Sequence, residues 1–272
     1  MANYERMDSA WVQRLAKSGD KDALYEMAWR IDLLPLEHRE DKVECCAWQD
    51  YWFEKAANAG HIEAKSRYAR SLIGRVIDAE YRQKAMGYFQ SLVEDFDAGR
   101  LSKDQEVDGI LAKYWLGVML CEGYHTKRDT VMGAELIKSA ELLSRGFEGF
   151  GFRFMYTLGE LYAQGLAQPG EEPSVADLEQ SIKYFESAIR RFNPEKDDPN
   201  NRGRLELTRQ LFETQKRRIV AKMSSGDTGP CFPGAGEQRK KMMEVSDEGQ
   251  LRLKADKAAL ERLRQRLVQE SL

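Results

Sequence analysis

Tyr156-Thr157-Leu158-Gly159-Glu160-Leu161-Tyr162-Ala163-Gln164-Gly165 sets two large apolar residues, Leu158 and Tyr162, one helical turn apart, with a glycine beside the first and another closing the stretch. Downstream, Tyr184-Phe185 precedes Ala188 at the same spacing. Apolar residues three and four apart form one stripe of a helix, and a small residue inside the stripe lets a second helix approach closely. The stretch therefore reads as the first helix of a packed pair, with the second around Tyr184.

Both halves recur. Second-helix strings open at Trp11-Val12, Trp52-Phe53, Tyr88-Phe89, Leu136-Ile137 and Tyr184-Phe185, followed by Leu15-Ala16, Ala56-Ala57, Leu92, Ala140 and Ala188. First-helix strings alternate with them: Met27-Ala28 with Ile31, Tyr68-Ala69 with Leu72, Leu116-Gly117 with Leu120, and Leu158-Gly159 with Tyr162. Gly74, Gly123 and Gly165 follow the last three where a left-handed helix cap is expected. A recurrence of a few tens of residues points to a solenoid, in which each pair buries its stripe against its neighbours. The competing reading is an irregular helical bundle, whose aromatic and alanine stripes would serve as ordinary core.

Leu158 to Gly165 with Ser181-Ile182-Lys183-Tyr184-Phe185-Glu186-Ser187-Ala188, and Trp52-Phe53-Glu54-Lys55-Ala56-Ala57-Asn58-Ala59-Gly60, resemble Sel1-like repeats, relatives of the tetratricopeptide repeats. The resemblance covers roughly Trp11 to Asn193, with degraded copies at Leu92-Val93 and Leu136-Ile137. It implies an all-α fold, an α-solenoid of stacked antiparallel helix pairs, and the adaptor or scaffold role common among such proteins. A secreted, cysteine-rich branch of that family is linked to penicillin hydrolysis. Its paired cysteines are not matched here, so that activity is not carried over.

Composition narrows the function. The 272 residues are 32% charged with a formal net charge of −3, which supplies no strong positive field for nucleic acid or an anionic membrane. Met1 to Ala10 carries Glu5, Arg6 and Asp8 where an export signal needs an apolar core, so a cytoplasmic protein is expected. Cys45 and Cys46 are adjacent while Cys121 and Cys231 stand apart, without zinc-knuckle spacing. His38, His61 and His125 form no helical metal pair, and no glycine-rich phosphate loop precedes a lysine. No catalytic, cofactor or metal site is expected. Surface or capping roles suit the histidines, and packing or groove lining suits Cys121.

Beyond Phe192, the polar stretch Asn193 to Asn201 leads to a helix over Arg202 to Met223, with Leu205, Thr208, Phe212 and Ile219 on one face. It reads as the solenoid's terminal cap, with Arg209, Lys216, Arg217, Arg218 and Lys222 facing outward. The expected organisation is thus a solenoid over 1–223, a Gly/Pro-rich linker over 224–236 and a C-terminal helical tail over 237–272. In the tail, Leu253, Leu260 and Leu267 repeat every seven residues with Leu263 inside the stripe. This leaves docking on the solenoid, self-association, and insertion into a partner's groove as open alternatives.

By the same resemblance, first helices line the concave face of the stack. The positions flanking each packed pair are then Tyr25 and Trp29, Ser66 and Arg70, Tyr114 and Val118, and Tyr156 and Glu160, with Arg153 one turn earlier. Aromatic and arginine side chains supply most interface hot spots, so these residues are expected to hold a protein or peptide partner. The expected function is a non-enzymatic cytoplasmic adaptor or scaffold. The alternatives are an assembly protein acting through its C-terminal helix and, third, a hydrolase-type enzyme.

Overall fold

The computed structural model describes residues 8–33, 39–74, 78–123, 127–147, 150–165, 173–193, 200–225 and 257–267, and every regular element among them is helical. The helices are α1 Ser9–Lys17, α2 Lys21–Met27, α3 Lys42–Asn58, α4 Ile62–Ile73, α5 Ala79–Asp97, α6 Glu106–Glu122, α7 Thr130–Leu143, α8 Gly151–Ala163, α9 Val175–Arg191 and α10 Asn200–Ser225. An eleventh, α11, spans 257–267. The fold is all-α, and within each compact unit sequence-adjacent helices pack on one another, the connectivity of an α-solenoid. His38, His125, Cys231, Leu253 and nearly all of the 224–236 segment lie outside the described residues.

The chain forms two compact units, Met1–Asp108 with Glu244–Leu272, and Gly109–Met243. In the first unit, α1 packs on α2, α2 on α3, α3 on α4 and α4 on α5. Ala28, Ala56 and Ala69 are fully buried at these crossings, and Trp48 Nε1 donates to the Met27 carbonyl at 2.9 Å, fastening α3 to the end of α2. Local sequence sets the starts: Asp20, Asp41 and Asp78 accept hydrogen bonds from the first-turn amides of α2, α3 and α5. His61 does the same for α4 through Nδ1, which accepts from the Ala64 amide at 3.1 Å.

In the second unit the small residues of the first-helix motif have the expected purpose. A Cβ on Gly117 of α6 would stand 2.6 Å from the Gly133 carbonyl oxygen of α7 and 2.7 Å from Ile137 Cγ1. Gly159 of α8 is pressed in the same way against Phe185 of α9, and Ser181 Oγ donates to its carbonyl at 2.8 Å. Phe152, Met155, Tyr156, Phe185 and Ala188 form a core that Leu205, Leu211 and Phe212 of α10 cover. Phe152 and Phe185, at 1% and 0% exposure, each stabilise by about 1.5–3 kcal/mol through burial. Glu141 of α7, itself buried, binds Arg191 of α9 at 2.7 Å.

Two local expectations change. Gly123 and Gly165 take the left-handed conformation, with φ of 64° and 74°, but Gly74 has φ −59° and continues the right-handed turn. Arg218 does not face outward with Arg209, Lys216 and Arg217. Its Nη1 donates to the Ala163 carbonyl at 3.0 Å, satisfying a C-terminal carbonyl of α8 that the helix itself leaves open.

Candidate functional site

In the first unit, α2, α4 and the first turn of α6 bring together an aromatic and charged patch. The Tyr25 ring stacks on the His61 imidazole at 4.2 Å and 10°, and its neighbours Trp29 and Phe53 meet edge to face at 5.5 Å. Trp29 stands just past the end of α2 and is 44% exposed. The Arg67 guanidinium lies 4.9 Å over its ring. Arg67 is fixed there by Glu63, one turn earlier on α4, with both Nε and Nη2 2.8 Å from Glu63 Oε1. A guanidinium so placed offers a partner one face of a cation–π pair with its geometry already set.

The electrostatics follow from this packing. Burial pushes the Tyr25 phenol up, and its hydrogen bond to Glu63 pushes it further, so the phenol stays protonated and donates. Burial alone would raise the Glu63 carboxyl, but Tyr25 and Arg67 together hold it below the ordinary carboxylate range. His61 is driven down by burial, with Asp22 at 3.8 Å and Glu63 pulling it partly back. A neutral imidazole suits its duty, since Nδ1 must accept from Ala64. Asp108, on α6, is pushed up by burial and by the Glu63 charge, against which Arg67 and Arg70 draw it down.

Of the nine positions expected to face a partner, Tyr25, Trp29, Ser66 and Arg70 belong to this unit. Trp29 and Arg70 are exposed and Tyr25 is half-buried, whereas Ser66 is completely buried beside Asp108. In the second unit Tyr114 is 4% exposed and Tyr156 is 8% exposed. Tyr114 stacks on Phe154 at 4.5 Å, and its hydroxyl lies 2.9 Å from Thr157 Oγ1. Tyr156 belongs to the core between α8 and α9 and donates to Glu160 Oε1 at 2.7 Å. Those two tyrosines and Ser66 therefore hold the stack, because the neighbouring helix closes over positions that a single helix leaves at the stripe's edge. Val118, Arg153 and Glu160 are half-buried, with Arg153 5.9 Å over the Trp115 ring.

Phe53, His61, Glu63 and Arg67 lie outside the flanking positions of the first-helix register. The Glu63–Arg67 pair was available as a four-residue spacing on a helix; the meeting of Phe53 with Trp29 was not, since it depends on how α2 and α3 pack.

Among the described residues no helix is long and apolar enough to cross a membrane, and no group of three or more His, Cys, Asp or Glu is arranged to hold a metal. No protein-family model matches the chain, and no curated protein matches it. Among solved structures it is similar to a crystal structure of a protein from Klebsiella pneumoniae subsp. pneumoniae, provisionally described as a sel1 repeat protein. The two share 18% identity over 76% of this chain and 83% of that one, with a TM-score of 0.37.

Proposed function

We propose that the chain is a non-enzymatic adaptor of the cytoplasm that binds a protein or peptide segment on the first-helix surface of its first unit. Trp29 and Arg70 make the contact, and Tyr25 supports them. The single observation that carries this reading is Trp29, large, apolar and exposed, yet held in one orientation by Phe53, Tyr25 and the Arg67 guanidinium. A pre-ordered aromatic with an adjacent cation is the composition of an interface hot spot, because little side-chain freedom is left to lose on binding. In the second unit the half-buried Val118, Arg153 and Glu160 are the positions for a similar role.

The test compares what the wild-type chain and its Trp29→Ala/Arg67→Ala variant retain from an extract of the native cell, followed by titration of the purified partner. Trp11→Ala serves as the control, since Trp11 is equally exposed and also stacks with an arginine, Arg14 at 4.8 Å. The reading expects the partner to be lost with the double variant and kept with the control. Undiminished binding by the double variant would reject the surface.

A further inference from the structure

The C-terminal helix α11 is seated on the first unit by a matched set of apolar and charged contacts. Ala259, Leu260 and Leu263 are 0%, 5% and 2% exposed. Around this apolar row, Arg262 Nη2 lies 2.7 Å from Glu44 Oε1 and Arg264 Nη2 lies 2.8 Å from Glu54 Oε2, both carboxylates on α3. Lys257 pairs with Asp78, the residue that caps α5, and its ammonium stands 5.0 Å over the Tyr81 ring. The half of each pair on the seat is nearly buried, while the half on α11 is exposed. Burial would raise the Glu54 carboxyl, yet Lys84 and Arg264 hold it below the ordinary range, so it is charged at the contact. Asp78 is likewise held low by Lys257 and by the α5 amides, against a burial effect that raises it.

Three carboxylates from two separate helices thus converge on one short segment that carries Lys257, Arg262, Arg264 and Arg266 against the single acid Glu261. A helix of this length is marginal alone in water, so its helical form and its docking are one event. The seat lies on the second-helix elements α3 and α5, and Trp29 remains exposed with α11 in place, so the tail does not cover the Trp29 surface. We propose that this face of α3 and α5 is a binding site for a basic amphipathic helix. Its resident ligand is α11, which is exchangeable for a competing helix of the same pattern: paired apolar residues three apart, flanked by arginines. The inference is independent of the Trp29 reading, since the two surfaces share no residue.

The probe is a labelled synthetic peptide of residues 254–270, titrated against the full chain and against a full-length variant with its own tail released by Leu260→Asp, Leu263→Asp and Arg264→Glu. A tethered helix competes at an effective concentration of about a millimolar, so the peptide should bind the released chain at least about ten-fold more tightly than the wild type. Binding should weaken by about ten-fold between roughly 50 and 500 mM NaCl, because the pairs are half exposed. Glu44→Arg in the released chain should abolish binding of the wild-type peptide, and a peptide carrying Arg262→Glu should recover it. Equal binding to released and wild-type chains, or none to a released chain that keeps its thermal transition, overturns the proposal. Should the released chain fail to fold, hydrogen exchange in the wild-type protein decides. Excess peptide should accelerate exchange of the 257–267 amides without accelerating those of α3; amides of 257–267 that open only with the whole unit would overturn the site.

Discussion

A Cβ built on Gly159 would stand 2.5 Å from Cδ1 and Cε1 of Phe185, closer than any side chain tolerates. Because the contact is with an aromatic ring held in the core, the ring cannot turn aside as a flexible chain would. Gly159→Ala gains about 1 kcal/mol of helix propensity but loses about 1–3 kcal/mol to overpacking. A net loss of stability is expected, larger for Gly159→Val, and read as a lower denaturant midpoint. Phe185→Leu introduced beside Gly159→Ala should recover part of it, a coupling that a purely local helix effect would not produce.

Tyr114 carries a second expectation, opposite to that for a groove residue. Since its ring is stacked on Phe154 and its hydroxyl meets Thr157, Tyr114→Ala should cost about 3–5 kcal/mol, the range for an emptied aromatic site. Tyr114→Phe removes only the hydrogen bond and should cost about 0.5–1.5 kcal/mol. Urea titration of both variants separates the two effects. A Tyr114→Ala protein as stable as the wild type would place the ring outside the core.

His61 makes the first unit acid-sensitive. An unfolded imidazole titrates near 6.5, and burial drives the folded one lower, with Asp22 only partly opposing. The folded state then binds fewer protons than the unfolded one, so this contribution is complete above about pH 6.5. It is lost as the pH falls from there through the lowered folded value. Protonation also places a hydrogen on Nδ1, which ends its acceptance from Ala64 and uncaps α4. His61→Asn keeps a capping oxygen without a titrating ring. Its melting temperature should change less between pH 7.5 and pH 5 than that of the wild type, and an unaltered pH profile would remove His61 from the explanation.

How far the residues alone carry the structure depends on whether a feature is local. Helix starts at Asp20, Asp41, Asp78 and Ser174 follow from side chains within one turn of the amides they cap, and Ser174 completes its capping box with Asp177 as its spacing implies. The pairing of first and second helices was equally legible, because Gly117 and Gly159 mark the crossings by being too small to do anything else there. Gly74 was not, since glycine permits a left-handed cap without requiring one.

The amino-acid sequence by itself determined an all-α chain of sequentially packed helices, because each cap lies within one turn of the amides it satisfies and each stripe or small residue meets the next helix along the chain, as Gly159 meets Phe185. Tertiary structure alone decided which edge-of-stripe residues are free. Helical phase puts Tyr25, Tyr114 and Tyr156 in equivalent places, and only the packing of the next helices leaves the first half-buried and the other two 4% and 8% exposed. It also decided where the tail lies. Glu44, Glu54 and Asp78 are unremarkable acids along the chain, and they become one seat for Arg262, Arg264 and Lys257 only when α3 and the start of α5 stand side by side. Charge complementarity between segments so distant in sequence has no local signal, since it exists only after the helices between them have packed.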